Sequence, residues 1–430
     1  MAWSRSPRRK PLLVRGARQI GKTWAVLDFG RRAFAAAVHH VDLELRRDAH
    51  DAFGDDLTAR RVLSALEVRL GARILPGRDL LFLDEIQACP RAITALRYLH
   101  EQVPGLHVIA AGSLLDFALR DYSFPVGQIE HLAMYPMTFV EFLEAMGMSV
   151  GVEIVRAGPQ PQPEPAHAVL LDQLRQYLFV GGMPEAVQAY ADTHSLLEAA
   201  RVQRNLIESY RDDFGKYAPR ADKQCMNVVL DSLARGVGQQ VKLAPLARGY
   251  SDGAIRHAVD VLARARVVTR VPGASPAGLP LGASASGRRF KAIMVDVGLM
   301  QRLSGMPLEV EYAKKDLLGI YRGALAEQFV GQELLASLGS QAAGGGIYYW
   351  AREAKSSTAE VDYLVASGGR VRPIEVKSGP AGRLRSMRLL LEQHPHCAPG
   401  LVLSPAPYAE LPEQRLKFVP LYFAGSLAGA

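Results

Sequence analysis

The chain has 430 residues, 49% of them hydrophobic and 22% charged, the composition of a soluble globular protein. Its length exceeds what one compact core accommodates, so two or three domains are expected. The formal net charge of +8 is compatible with nucleic acid or another polyanion as partner, and is equally ordinary for a large protein surface. Cys89, Cys225 and Cys397 are widely separated and odd in number. They make neither a metal pattern nor a disulfide framework, which points to a reducing cytoplasm. No apolar run is long enough to span a bilayer, and the basic N-terminus is not followed by a signal-peptide core, so no membrane partner is expected.

In chain order, Pro11 to Val14 is a short apolar run that reads as a buried strand. It leads into Gly16-Ala17-Arg18-Gln19-Ile20-Gly21-Lys22-Thr23, which fits G-x-x-x-x-G-K-[ST], the phosphate-binding P-loop. Trp24 to Leu27 then opens a helix. Strand, glycine-bounded loop and helix N-terminus are the context a P-loop needs. Gly16 and Gly21 let the backbone turn its N–H groups inward, and the helix dipole adds to their hold on a phosphate. Lys22 is expected to reach the β- and γ-phosphates of ATP, and Thr23 to ligate Mg²⁺.

Further strands are expected at Val38 to Glu44, Asp79 to Leu83 and Leu106 to Ala111, with helices at Leu57 to Leu70 and Arg91 to Gln102. This alternation predicts a parallel sheet with helices on both faces. Leu80 to Leu83 ends in Asp84 and Glu85, the Walker B pattern. Lying beside the P-loop strand, it would deliver both acids to the C-terminal edge of the sheet, where such folds bind ligands. Asp84 would hold Mg²⁺ and Glu85 would activate the attacking water. Ser113, ending the next strand, is placed as a sensor of the γ-phosphate or of that water, or simply as a turn former.

Ala157 to Ala166 is rich in proline and reads as a stiff connector, followed by a largely helical region from Ala168 to about Arg266. Within it, Val241 to Ala247, Ser251 to Leu262 and Ala265 to Val268 have the rhythm of a helix-turn-helix and strand. Ser251 would cap the second helix, with Arg256 and His257 exposed, and Pro272 to Gly287 would form a wing tip ahead of Arg288 and Arg289. The arrangement suits either DNA contact or packing against protein. From about Gly323 the pattern becomes a helix followed by short strands. Asp362, on one strand, and Glu375-Val-Lys377, on the next, form D-x(n)-E-x-K. Glu375 and Lys377 share a face because strand side chains repeat every two residues. Asp362 can join them across the ladder, and Glu327 from the preceding helix completes three carboxylates and a lysine. Asp362 and Glu375 would ligate a divalent metal, with Lys377 placing the water for phosphodiester hydrolysis. His100, His394 and His396 have no ligand spacing.

The runs GARQIGKT, LLFLDEIQACP, HVIAAGS and MYPMTFVEFLEA together resemble a large group of prokaryotic AAA+-like ATPases that carry a C-terminal domain of unknown function. Tyr177 to Ala186 looks like that group's GG-hydrophobe-PEAV element, Tyr210 to Tyr217 like its helical linker, and Lys291 to Leu299 like its lysine–strand–D-x-G-L element. The resemblance implies three regions: an AAA+-like ATPase domain (1–156), a helical and winged-helix region (167–320), and an α/β domain of restriction-endonuclease-like, PD-(D/E)XK fold (321–430). It implies ATP hydrolysis coupled to a nuclease-like domain acting on DNA. The alternative is a nucleotide switch whose C-terminal domain binds DNA or protein without cleaving. A homo-oligomer is a candidate assembly. Two departures stand out. Gln128 occupies a position where the group often has arginine, which implies either slow turnover or Arg120 as a substitute charge. The chain also starts close to the P-loop strand, where the group has a further helix, so either the start is misassigned or a sheet edge is bare.

Overall fold

The computed structural model describes residues 2–34, 37–113, 115–118, 127–217, 222–305, 322–339, 346–352, 359–379 and 384–429. The chain divides into two compact units, Met1–Met134 and Tyr135–Ala430.

In the first unit, strands β1 (Leu12–Arg15), β2 (Val38–Asp42), β3 (Leu80–Asp84), β4 (His107–Gly112) and β5 (Glu130–Ala133) form one parallel sheet in the order β2-β3-β4-β1-β5. Helices α1 (Ala2–Arg5), α2 (Lys22–Ala33), α3 (Ala59–Leu70), α4 (Pro90–Gln102) and α5 (Leu115–Ala118) accompany it. Alternation along buried strands separates two cores. Val14, Leu80, Phe82 and Ile109 pack with Val26 and Phe34 around α2. Leu13, Leu81, Leu83 and Ala110 pack with Val62 and Leu66 of α3 and Ile93 and Leu96 of α4 on the opposite face. The apolar runs on β3 and β4 are continuous because both faces are covered.

The order corrects one expectation. The Walker B strand β3 does not lie beside the P-loop strand β1, because β4 stands between them. Helix α2 crosses the sheet from its start at Lys22 and packs on β2, β3 and β4, so its first turn bridges the extra strand. No bare edge is left at β1, which pairs with both β4 and β5.

The second unit opens with α6 (Phe139–Ala145), α7 (Ser149–Arg156), α8 (Glu164–Val180), α9 (Pro184–Thr193), α10 (Leu196–Tyr217), α11 (Lys223–Arg235), α12 (Leu243–Leu246) and α13 (Asp252–Arg264). Residues 135–156 fall in this unit. The proline-rich connector is shorter than expected, since α8 begins at Glu164 with Pro165 in its first turn, where the missing N–H costs nothing. Helix α13 buries Ile255, Ala258, Val259 and Leu262 and exposes Arg256 and His257, and Ser251 Oγ caps it by accepting from the Ala254 N–H.

Strands β6 (Val268–Gly273), β7 (Ser286–Met294), β8 (Tyr348–Ala351), β9 (Glu360–Ser367), β10 (Arg370–Val376), β11 (Gly400–Ser404), β12 (Ala409–Leu411) and β13 (Leu416–Pro420) make a mixed sheet ordered β12-β13-β11-β10-β9-β8-β6-β7. Strands β6 and β7 form an antiparallel hairpin, which continues into the C-terminal sheet through the parallel pairing of Gly273 with Tyr349. Helices α14 (Val297–Ser304), α15 (Arg322–Gly339) and α16 (Arg385–Gln393) complete the unit. Leu364, Val371 and Val402 of the sheet pack against Met387, Leu390 and Leu391 of α16.

Two sequence motifs without chemistry of their own explain each other here. Asp296 is fully buried and caps α14 by accepting from the Leu299 N–H at 2.9 Å, while its other oxygen accepts from the Gly182 N–H at 2.6 Å. A Cβ at Gly182 would lie 2.0 Å from the Met137 carbonyl oxygen, so only glycine fits. The paired glycines and the D-x-G-L element are thus two halves of one joint. Burial pushes the Asp296 carboxyl up to about 6, against the pull of the N–H groups that it accepts from.

Candidate functional site

The first site is built at the C-terminal edge of the parallel sheet. The P-loop is held by backbone conformations that side chains tolerate poorly: Gln19 at φ 61° and Gly21 at φ 84°. Such successive turns of handedness point N–H groups into one concavity. Lys22, 6% exposed, donates from Nζ to the carbonyls of Ala17 at 2.7 Å and Gly16 at 3.3 Å. These neutral acceptors already satisfy the ammonium, and phosphate oxygens offer it stronger ones.

Thr23 Oγ1 donates to Asp84 Oδ2 at 2.7 Å, joining two motifs 61 residues apart. Asp84 is 3% exposed, and its Oδ1 accepts from the Glu85 N–H at 3.0 Å. A hydroxyl and a carboxylate in contact at the first turn of a P-loop helix are the donors that Mg²⁺ takes in P-loop enzymes, so the residues fit that ion. Glu85 sits in the left-handed region at φ 45°, which turns its side chain off the strand axis. Its Oε2 accepts from Gln87 Nε2 and from Ser113 Oγ at 3.4 Å, so the strand β4 residue expected as a sensor touches the expected base.

Two residues at this site were not anticipated. Gln87 orients Glu85, and its own Oε1 is buried without a partner among the described residues. His40, on β2, places Nε2 3.3 Å from Asp84 Oδ2 and stacks on Phe82 with ring centroids 4.9 Å apart. Neighbouring strands could have been inferred to carry such a partner only with the strand order in hand. Arg120 lies outside the described residues.

The second site is in the C-terminal sheet. Asp362 on β9 and Glu375 on the antiparallel neighbour β10 come together, with Asp362 Oδ2 accepting from the Val376 N–H at 2.8 Å. Lys377 Nζ meets Glu375 Oε1 at 2.6 Å, and Glu327 arrives from α15. The unanticipated centre of the cluster is Lys291 from β7. Its Nζ lies 2.6 Å from Glu360 Oε1, 3.3 Å from Glu327 Oε2 and 3.3 Å from Asp362 Oδ1. Glu360 also accepts from Gln240 Nε2 at 2.9 Å. Two signals in the sequence could have found these residues. Glu360 stands two positions before Asp362 and so shares its face. Lys291 stands in the run Phe290–Met294, whose other members are apolar, and a cation buried there demands counter-charges.

Burial raises the Glu327 carboxyl to about 8, with the Asp362 charge adding and Lys291 opposing. Burial likewise raises Glu375 to about 7, helped by Asp362 and opposed by Lys377. Burial alone would lower the Lys291 ammonium, but Glu327, Asp362 and Glu360 overcome it and hold it well above the usual lysine range. Among the described residues no group of three or more His, Cys, Asp or Glu side chains is arranged to hold a metal ion. Asp362 and Glu375 were expected as metal ligands; as the cluster stands, an ammonium fills the place between its acids, and the residues do not fit a bound divalent ion.

No helix among the described residues is long and apolar enough to cross a membrane. No curated protein matches the chain. Residues 171–309 and 322–423 each match a family model described only as a domain of unknown function (DUF8612 and DUF4143). Among solved structures, a Walker-type ATPase of Pyrococcus abyssi is 16% identical, with 70% of this chain and 94% of that one covered at a TM-score of 0.44. A RuvB variant of Thermotoga maritima is also 16% identical, over 61% and 83% of the two chains, at a TM-score of 0.28. Residues 8–143 match the AAA domain family model, and the unit that carries the P-loop is therefore similar to the AAA-type P-loop ATPases.

Proposed function

We propose that this protein is an AAA+-like ATPase that binds and hydrolyses ATP at Gly16–Thr23, Asp84 and Glu85, and that hydrolysis governs the C-terminal unit. The observation that carries this reading is the 2.7 Å contact between Thr23 Oγ1 and Asp84 Oδ2. In the mechanism, Lys22 exchanges the Gly16 and Ala17 carbonyls for β- and γ-phosphate oxygens. Thr23 and Asp84 would hold Mg²⁺, which would neutralise phosphate charge. Glu85 takes the proton of the attacking water, while Gln87 and Ser113 fix the rotamer in which it can do so. Titration calorimetry with ATP and with GTP tests the nucleotide. Binding of ATP that Lys22→Ala abolishes supports the reading, and binding that survives Lys22→Ala contradicts it.

The domain division at 156 and 320, the winged-helix reading of α12, α13 and the β6–β7 hairpin, DNA as partner, homo-oligomers and a cytoplasmic setting belong to the same proposal. For the C-terminal unit, the D-x(n)-E-x-K cluster supports a PD-(D/E)XK nuclease-like site. A second reading, a nucleotide-dependent switch that binds DNA or protein without cutting, is favoured by Lys291 at the centre of the acids. Labelled linear, nicked and single-stranded DNA, incubated with ATP and Mg²⁺ or Mn²⁺, separates the two. Cleavage lost in Glu375→Gln supports the nuclease, and no cleavage of any substrate leaves the switch.

A further inference from the structure

The acidic cluster of the second unit holds more carboxyl oxygens than its lysines use. Glu327, Glu360 and Asp362 surround Lys291 Nζ at 3.3, 2.6 and 3.3 Å. The Glu375 side chain beside them is 8% exposed; one of its oxygens is taken by Lys377, and the other, Oε2, is buried with no partner among the described residues. An orphaned carboxylate oxygen at that depth is a ligand in waiting, since leaving it unpaired is costly. The Lys291 side chain is 3% exposed and comes from β7, whereas the acids come from α15, β9 and β10. Mg²⁺ or Mn²⁺ needs oxygens at about 2.1 Å. An ammonium already within hydrogen-bonding reach of those oxygens excludes such an ion both by volume and by like charge at low dielectric.

We propose that Lys291 is the resident cation of this cluster, so that the residues as they stand take no divalent metal ion. The proposal rests on the reading of the cluster as nuclease-like and names the cation that fills it. In the same position Nζ lies 5.7 Å from the Tyr349 ring centroid, a cation–π contact that adds to the hold of the acids.

The test is a Mn²⁺ titration of the full chain without nucleotide, followed by electron paramagnetic resonance, on the wild type, Lys291→Met and Lys291→Met/Asp362→Asn. The expected result is one additional Mn²⁺ per chain in Lys291→Met, at least about tenfold tighter than any wild-type site, and lost again in the double variant. A folded Lys291→Met that gains no Mn²⁺ overturns the proposal. So does a wild-type Mn²⁺ site that Asp362→Asn removes, an arm that decides the matter alone should neither Lys291→Met nor Lys291→Gln fold. Metal gained by Lys291→Met without DNA cleavage leaves Lys291 as the resident cation and removes only the nuclease reading.

Discussion

Glu333 offers the sharpest test of how the second unit holds together. It is 1% exposed on α15, and its Oε1 accepts from the Phe139 N–H at 2.9 Å, at the start of α6. Burial raises its carboxyl from 4.5 to about 8; the Phe139 hydrogen bond opposes this and the Glu141 charge adds to it. Between those two values the folded chain keeps a proton that the unfolded chain has released. Folding stability therefore falls as pH rises through that window, and the penalty is complete above about 8. At about 1.4 kcal/mol per tenfold change in proton affinity, the ceiling is about 5 kcal/mol, and relaxation around the charge reduces it to roughly 2–4 kcal/mol. Glu333→Gln keeps an acceptor for Phe139 and cannot ionise. Urea unfolding of wild type and variant at pH 5, 6.5 and 8, at fixed ionic strength, isolates this group because the other carboxyls cancel in the difference. The variant should gain on the wild type by roughly 2–4 kcal/mol between the two extremes. Curves that run parallel across the range would refute the reasoning.

Other substitutions probe the joint and the ATP site. Gly182→Ala forces a methyl to within 2.0 Å of the Met137 carbonyl and should destabilise the second unit by roughly 2–4 kcal/mol, read as a lower thermal midpoint. Gln87→Ala frees Glu85 from its tether and should lower the turnover number about tenfold with ATP affinity unchanged; a changed affinity with normal turnover would contradict its role. Trp24, which follows Thr23 and is 67% exposed, should report ATP binding by a change in fluorescence that Lys22→Ala removes.

The first unit was legible from its sequence to an unusual degree, and for a local reason. Strands β1, β3 and β4 are short apolar runs, and the P-loop and Walker B residues stand at a strand end or a helix start, whereas the exposed edge strand β5, Glu130–Ala133, has no such pattern and was not expected. What local pattern could not supply was lateral order. Nothing in Leu80–Asp84 says that β4 separates it from β1, and hence nothing says that His40 of β2 faces Asp84. The same limit applied more strongly in the second unit. Glu327, Asp362, Glu375 and Lys377 lie on neighbouring elements of a β-rich stretch and could be grouped by spacing. Lys291 belongs to β7, which reaches the cluster only because the hairpin continues the C-terminal sheet. A pairing between strands some seventy residues apart is set by tertiary packing, not by periodicity.

The central claim is that Glu85 activates water for hydrolysis of an ATP held by Lys22, Thr23 and Asp84. Single-turnover phosphate release, measured with Mg²⁺ and ATP on the wild type and on Glu85→Gln, tests it most directly. The account predicts that Glu85→Gln binds ATP as the wild type does while releasing phosphate about 10²–10⁴-fold more slowly. Phosphate release at the same rate from both proteins would contradict it.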